Sequence, residues 1–267
     1  MDLHDFDIVA EHYDLYVKKL LSENWHKNSV AFHLELAEKY GNNGILDIAC
    51  GTGNIALPLV ESGHTVYAFD ISDAMVNRFR TKVEKLDPSL RSRVNVSVQN
   101  MISFSYQRNF SLVMIPASGF MHLTTPADQR KALLNINKHL NKGGVLTLNT
   151  FDPNVNLIAD GSKGANTFRK RTEFETGDAR RIEIYEAMSY DPENQKMEGV
   201  WQFVEYDRQH KKTKETDVPL KMRYTFRQEM KYLLELTGFE VLELYGSYNK
   251  NHAVYPSSLI WIARKID

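Results

Sequence analysis

Cysteine is almost missing from this chain. Its single copy, Cys50, among 267 residues excludes an intramolecular disulfide and suits a reducing compartment. A charge excess is missing too: 33 Lys and Arg face 34 Asp and Glu, so no global basic field gathers nucleic acid or an acidic membrane. No uncharged apolar run reaches the roughly 20 residues that span a bilayer. Residues 1–9 carry three Asp and no apolar core of signal length. Together these absences predict a soluble, cytoplasmic protein working on a small molecule, with neither nucleic acid nor membrane as partner. No internal repeat breaks the chain into modules, and no metal is called for.

What is present is enough apolar residue, 42%, for one large domain or one domain with an insertion. Residues 8–40 place Leu15, Leu20, Leu21, Trp25, Phe32 and Leu36 at helical spacing, closed by Gly41 and Gly44. This predicts a helical arm or lid over 1–44. From Ile45 the pattern alternates: strand 45–49, helix 54–61, strand 65–69, helix 73–86, strands 94–98 and 110–115, helix 126–140, strand 144–151. Serial βα units imply a parallel sheet with helices on both faces. Ser72 and Asp73 offer helix caps, Pro126 suits a first turn, and Gly143-Gly144 reads as a helix stop. After Pro153 the texture changes. Residues 180–190 and 197–206 read as a hairpin around the turn 191–195, a small antiparallel sheet inserted over 153–222. A helix from Thr225 to Gly238 and strands near 240–245 and 258–263 return the chain to the main sheet. The main domain is thus 45–152 with 223–267.

The chemistry begins where the first strand ends. Residues 45–53 read Ile-Leu-Asp-Ile-Ala-Cys-Gly-Thr-Gly, and the next strand ends in Asp70. A glycine turn entering a helix brings backbone N–H groups to a ligand with no Cβ in the way. A dinucleotide site wants Gly-x-Gly-x-x-Gly for its pyrophosphate; here the run is Asp47-x-Ala49-x-Gly51-x-Gly53, with a carboxylate before the turn. That carboxylate disfavours pyrophosphate and favours an amine or sulfonium. Asp70 is placed to accept from two ribose hydroxyls. Ribose with a cationic, amine-bearing tail describes S-adenosylmethionine.

The stretch resembles the Asp-x-Gly-x-Gly-x-Gly signature of class I S-adenosylmethionine-dependent methyltransferases, with Ala49 in place of the first glycine. Asp70-Ile-Ser-Asp-Ala-Met75 resembles that family's ribose-binding strand end, which implies Ile71 over the adenine and Met75 in its pocket. Val98-Gln-Asn100-Met101 stands where the family has Gly-Asp-Met, and the Asn100 amide oxygen would take the adenine amine. Pro116-Ala117-Ser-Gly-Phe-Met-His122, Leu140-Asn-Lys-Gly-Gly, Asn149-Thr-Phe-Asp-Pro153 and the early Tyr13-Asp14 pair resemble one small-molecule subgroup, the sugar N-methyltransferases and glycine N-methyltransferase-like enzymes. The resemblance implies a Rossmann-like, seven-stranded doubly wound α/β sheet of order 3-2-1-4-5-7-6, strand seven antiparallel, with an inserted antiparallel sheet. It further implies cofactor contact through Asp47, Ala49, Gly51, Gly53, Asp70, Ile71, Met75, Asn100, Met101 and Ala117.

His122 and Tyr13 are the candidate catalytic groups, His122 as a base for an amine or hydroxyl and Tyr13 closing over the sulfonium. A histidine in a loop is as often structural, and an aromatic on an amphipathic helix usually packs a core. Trp201, Phe203, Tyr185 and Tyr206 suggest an aromatic substrate chamber, although alternating strand aromatics more often pack a sheet. His210-Lys-Lys-Thr-Lys214 reads as a solvated turn. The expected activity is methyl transfer to a small molecule, nitrogen ahead of oxygen. Competing readings are a nucleotide-dependent oxidoreductase, a non-catalytic S-adenosylmethionine-binding regulator, and an RNA or protein methyltransferase. The edge of the inserted sheet could pair across a homodimer axis.

Overall fold

Short apolar runs ending in glycine turns build the centre of the molecule. A computed structural model of the chain describes residues 7, 9–11, 13–20, 22–161 and 167–266. Helices α1 (Tyr13–Leu20) and α2 (Ser22–Tyr40) precede β1 (Ile45–Ile48), α3 (Ala56–Glu61), β2 (Val66–Asp70), α4 (Asp73–Val83), α5 (Pro88–Arg91), β3 (Val94–Val98) and β4 (Phe110–Ile115). Next come α6 (Pro126–His139), β5 (Leu140–Phe151) and α7 (Val155–Gly161). Strands β6 (Arg169–Glu175), β7 (Arg181–Asp191), β8 (Lys196–Tyr206) and β9 (Lys212–Arg223) then lead to α8 (Arg227–Leu236), β10 (Phe239–Tyr245) and β11 (Ser258–Lys265).

The main sheet runs β10-β11-β5-β4-β1-β2-β3, with β11 antiparallel to both neighbours and the remaining pairs parallel. Counted within this sheet, that is the expected order 3-2-1-4-5-7-6. Strand β4 is buried at every position, as a parallel strand covered by helices on both faces must be. Alternate side chains go to opposite sides. Leu46, Ile48, Val113 and Ile115 pack with Leu133, Ile136, Met230 and Leu234 of α6 and α8. Ile45, Leu112 and Met114 pack with Phe32, Leu36, Leu59 and Phe79 of α2, α3 and α4.

Helix starts follow their side chains. Ser72 Oγ accepts the Met75 N–H at 3.1 Å, and Thr125 Oγ1 accepts the Asp128 N–H at 3.1 Å with Pro126 in the first turn. The expected stop at Gly143-Gly144 is corrected: α6 ends at His139, and both glycines lie inside β5. There the pairing jumps from Phe110–Leu140 to Leu112–Val145, a bulge that Gly143 enters at φ +69. The arm is two helices rather than one.

The inserted hairpin forms as expected, Asp191 pairing Lys196 across the turn, but β6 and β9 extend it to four strands in the order β6-β7-β8-β9. Both are edge strands rich in charge, and Pro219 of β9 is tolerated because an edge strand has a free side. Lys212–Lys214 begin β9, exposed, beyond a turn at His210. Among the described residues no helix is long and apolar enough to cross a membrane.

Candidate functional site

The winding of the main sheet reverses between β1 and β4, which opens a crevice at the carboxyl ends of the strands. A cavity of ≈ 260 Å³ lies there. Of the residues singled out in the sequence, Tyr13, Ala49, Gly51, Asp70, Ile71, Met75, Asn100, Met101, Ala117 and His122 all line it, whereas Asp47 and Gly53 do not.

The turn after β1 holds three residues in the left-handed region, Ala49 (φ 56), Gly51 (φ 54) and Gly53 (φ 84). Ala49 bears a Cβ at a position that favours glycine, and space is made for it by Gly119, where an added Cβ would stand 2.9 Å from that of Ala49. Gly51 donates its N–H to Asp70 Oδ2 at 2.8 Å. Gly53 serves packing: a Cβ there would lie 2.5 Å from the Phe79 ring.

The two acidic strand ends differ in kind. Asp70 faces the cavity, and its Oδ1 also accepts the Ser72 N–H at 3.0 Å. Burial raises its pKa, with the Ser72, Gly51 and Ile71 amides opposing the shift. Each carboxylate oxygen keeps a further lone pair for a ligand. Asp47 lies beneath the turn, 1% exposed, and neither of its oxygens has a hydrogen-bond partner among the described residues. Burial, with the Asp70 charge second, pushes its pKa up to about 8. Cys50 is buried with its thiol pKa raised, again by burial first, so it is no nucleophile.

Helix α1 closes one side. The Tyr13 ring stands 3.5 Å from where a Gly51 Cβ would be, and burial raises its hydroxyl pKa. Asp14 accepts from Thr52 Oγ1 at 2.5 Å and pairs with Lys82 Nζ at 2.7 Å, while Lys82 also donates to the Thr52 carbonyl at 2.9 Å. Asp7 accepts from Ser72 Oγ at the start of α4. These ties were invisible to local pattern, because Lys82 lies on a helix far along the chain.

On the far side Asn100 lines the cavity and its Oδ1 accepts the Ile102 N–H at 2.9 Å, which closes a turn and leaves the oxygen a second lone pair. Gln99, Leu123, Thr124 and Asp128 join this wall without having been foreseen. His122 ends the 3-10 turn Gly119–His122. Its Nδ1 lies 3.2 Å from the Lys221 carbonyl of the inserted sheet. A carbonyl only accepts, so Nδ1 carries the proton and Nε2 the lone pair. Burial lowers its pKa to about 4, partly offset by the Lys221 bond, so the ring is neutral near pH 7. Of the aromatic quartet on the insertion, Trp201 and Phe203 face α1. Tyr185 and Tyr206 lie on the opposite face, beside Glu183 and under Arg181 respectively.

Residues 45–144 match the family model described as a methyltransferase domain. A glycine/sarcosine N-methyltransferase of Aphanothece halophytica is 30% identical over 149 residues, which are 54% of this chain and 55% of that one. The chain spans about half the length of the curated relatives it matches. An S-adenosylmethionine-dependent methyltransferase structure from Clostridium acetobutylicum matches with TM-score 0.77 at 17% identity, covering 96% of this chain and 98% of that one. The sugar N-methyltransferase KedS8 from Streptoalloteichus sp. matches with TM-score 0.72 at 16% identity, covering 96% and 93%. At these identities the likeness is one of fold, and it takes in regions on both sides of the stretch that the family model matches.

The donors of the domain suit S-adenosylmethionine. A positive charge nearby would favour the ionised form of Asp47, which is buried with no hydrogen-bond partner among the described residues; Asp70 has acceptor capacity for hydroxyls, and Ile71, Met75 and Met101 offer apolar walls.

Proposed function

We propose that the protein is an S-adenosylmethionine-dependent methyltransferase acting on a small molecule, with a nitrogen as the methylated atom. The observation that carries the reading is the pairing of Asp70 with the Gly51 N–H at the cavity wall, above the buried carboxyl group of Asp47, which has no hydrogen-bond partner among the described residues. When bound, S-adenosylmethionine supplies an electrophilic methyl group on a sulfonium. Asp70 would hold the ribose hydroxyls. Ile71, Met75 and Met101 would enclose the adenine, with Asn100 shaping that end through its turn. Ala49, Gly51 and Ala117 would bring backbone close to the ligand, Asp47 would favour its cationic tail through the field, and Gly53 would keep the turn in place through Phe79.

The acceptor enters from the His122 side. A neutral imidazole with a low pKa is a poor store for a proton but a good acceptor of a hydrogen bond, so His122 Nε2 would orient the acceptor N–H and aim the nitrogen lone pair. Tyr13 covers the glycine turn and excludes water from it. Positioning supplies much of the rate. The N-methyltransferase names among the relatives and neighbours support nitrogen over oxygen, and the near-balanced charge supports a small acceptor over RNA.

Incubation with S-adenosylmethionine and pooled small amines, read as S-adenosylhomocysteine formed, tests this. Turnover on an amine pool is expected. Absence of S-adenosylmethionine binding by calorimetry would sink the reading, and binding without turnover on any acceptor would favour the regulator.

A further inference from the structure

The inserted sheet turns one face to the site, and strand alternation fixes which residues occupy it. Ile182, Ile184, Glu186, Met188 and Tyr190 of β7 share that face. The register sets Glu186 opposite Trp201 and Met188 opposite Gly199, and Trp201 opposite Val218. Glu186 is the one carboxylate among them.

Both ends of this face are sealed. Ile182, Ile184, Phe203 and Val218 pack with Tyr16 and Val17 of α1, and Met197, Leu220 and Met222 pack with Met121 and Ile158. Between the two clusters Glu186, Met188, Tyr190 and Trp201 are half-buried, and Trp201 touches both clusters. The half-buried stretch between the two sealed ends therefore centres on the carboxylate.

Glu186 Oε2 accepts the Trp201 indole N–H at 2.9 Å and lies 3.6 Å from Arg171 Nε. Its Oε1 has no hydrogen-bond partner among the described residues. The Arg171 side chain is 47% exposed, so this ion pair is weak and a competing cation displaces it at little cost. Tyr16 stacks on Trp201 with ring centroids 5.2 Å apart, and 6.3 Å further on is Tyr13, which lines the cavity. The Glu186 charge reaches both Tyr16 and Tyr190, adding to the burial that raises their hydroxyl pKa values.

A carboxylate framed by aromatic rings on an apolar face recognises an organic cation, through charge and through the ring quadrupoles. We propose that Glu186, with Tyr16, Tyr190 and Trp201, forms a subsite for an ammonium or methylated ammonium group of the acceptor. The held group is not the nitrogen that reacts. A carboxylate favours the protonated amine, which has no lone pair to attack a methyl group, and three aromatic rings, Trp201, Tyr16 and Tyr13, lead from Glu186 to the glycine turn. The acceptor thus carries a second cationic group. Assigning the cation to an acceptor rests on the proposed function; the cation site itself does not.

Choline and its neutral carbon isostere 3,3-dimethyl-1-butanol are titrated into the full-length protein in the presence of S-adenosylhomocysteine, with binding followed by NMR. The wild type should prefer choline by about tenfold. Glu186→Gln should abolish the preference while binding S-adenosylhomocysteine as before. Arg171→Ala, at an exposed position, should tighten choline by removing the competing guanidinium. Equal binding of the two probes by the wild type, a preference that survives Glu186→Gln, or weaker choline binding in Arg171→Ala would overturn the proposal. Loss of S-adenosylhomocysteine binding by the wild type would count against the methyltransferase reading alone, leaving the probe comparison to decide the subsite.

Discussion

The two sheets meet the site with opposite kinds of surface. At the ends of the parallel strands the polar groups are backbone amides and two carboxylates, fixed by turns of positive φ and by burial. On the four-stranded sheet they are long side chains, paired with one another near solvent: Lys170 with Glu173 at 2.8 Å, and Lys212 with Glu215. A small change in the first region strains the backbone or strands a buried charge. The same change in the second is absorbed by solvent. The difference teaches that the first half is built for one ligand, whereas the second can vary its residues and still remain a sheet.

The largest expected effect tests the buried charge. The Asp47 pKa is raised from 3.8 to about 8 in the fold, so the folded state holds a proton that the unfolded chain has released. Its contribution is complete below the unfolded value and is lost as pH rises toward about 8. Asp47→Asn, which cannot ionise, should lose less stability over that window, by up to about 1.4 kcal/mol per pH unit. Urea unfolding of both proteins from pH 5 to pH 8 measures it; parallel profiles would contradict the buried-charge account. Asp70, also raised, is common to both proteins and cancels.

Gly53→Ala comes next. The left-handed φ and the overlap with Phe79 should together cost about 3 kcal/mol, seen as a lower Tm, with partial recovery in Gly53→Ala/Phe79→Leu. Asp70→Ala should weaken S-adenosylhomocysteine by about 2 kcal/mol, roughly 30-fold in Kd. Unchanged calorimetric affinity would place the ligand elsewhere. The comparison is sharpened last on the inserted sheet: Lys212→Met, at a pair with Glu215 in which both side chains are exposed, should shift stability by less than about 1 kcal/mol, and a larger loss would show that this sheet is as tightly constrained as the turn.

Legibility divides along the same line. The strands of the main sheet, the cap at Ser72 and the first-turn Pro126 could be read locally, because turn chemistry and hydrophobic period act over a few residues; Ile71, Met75, Asn100, Met101 and Ala117 of the cavity wall came with the family resemblance. The bulge at Gly143-Gly144 could not, since a glycine pair signals a helix stop and a strand bulge equally well. Strands β6 and β9 were hidden by charge: on an edge, Lys and Glu alternate where a core strand would show apolar residues. Asn100 was read as an adenine acceptor; the structure adds that its oxygen also accepts the Ile102 amide in a local turn, which leaves one lone pair at the cavity it lines. Glu186 gave no signal at all, since its meaning depends on which face of a strand is covered.

Sequence by itself determined the βα alternation, the glycine turn between Asp47 and Asp70, and through them the class of ligand, because each is a short-range consequence of backbone freedom and side-chain charge. Only the tertiary structure decided that Asp47 lies under the turn while Asp70 faces the cavity. It also decided that Asp14 and Lys82 fasten α1 over Gly51, and that His122 is held neutral against Lys221. Burial and the meeting of distant segments set those outcomes, and neither is a property of any stretch of sequence taken alone.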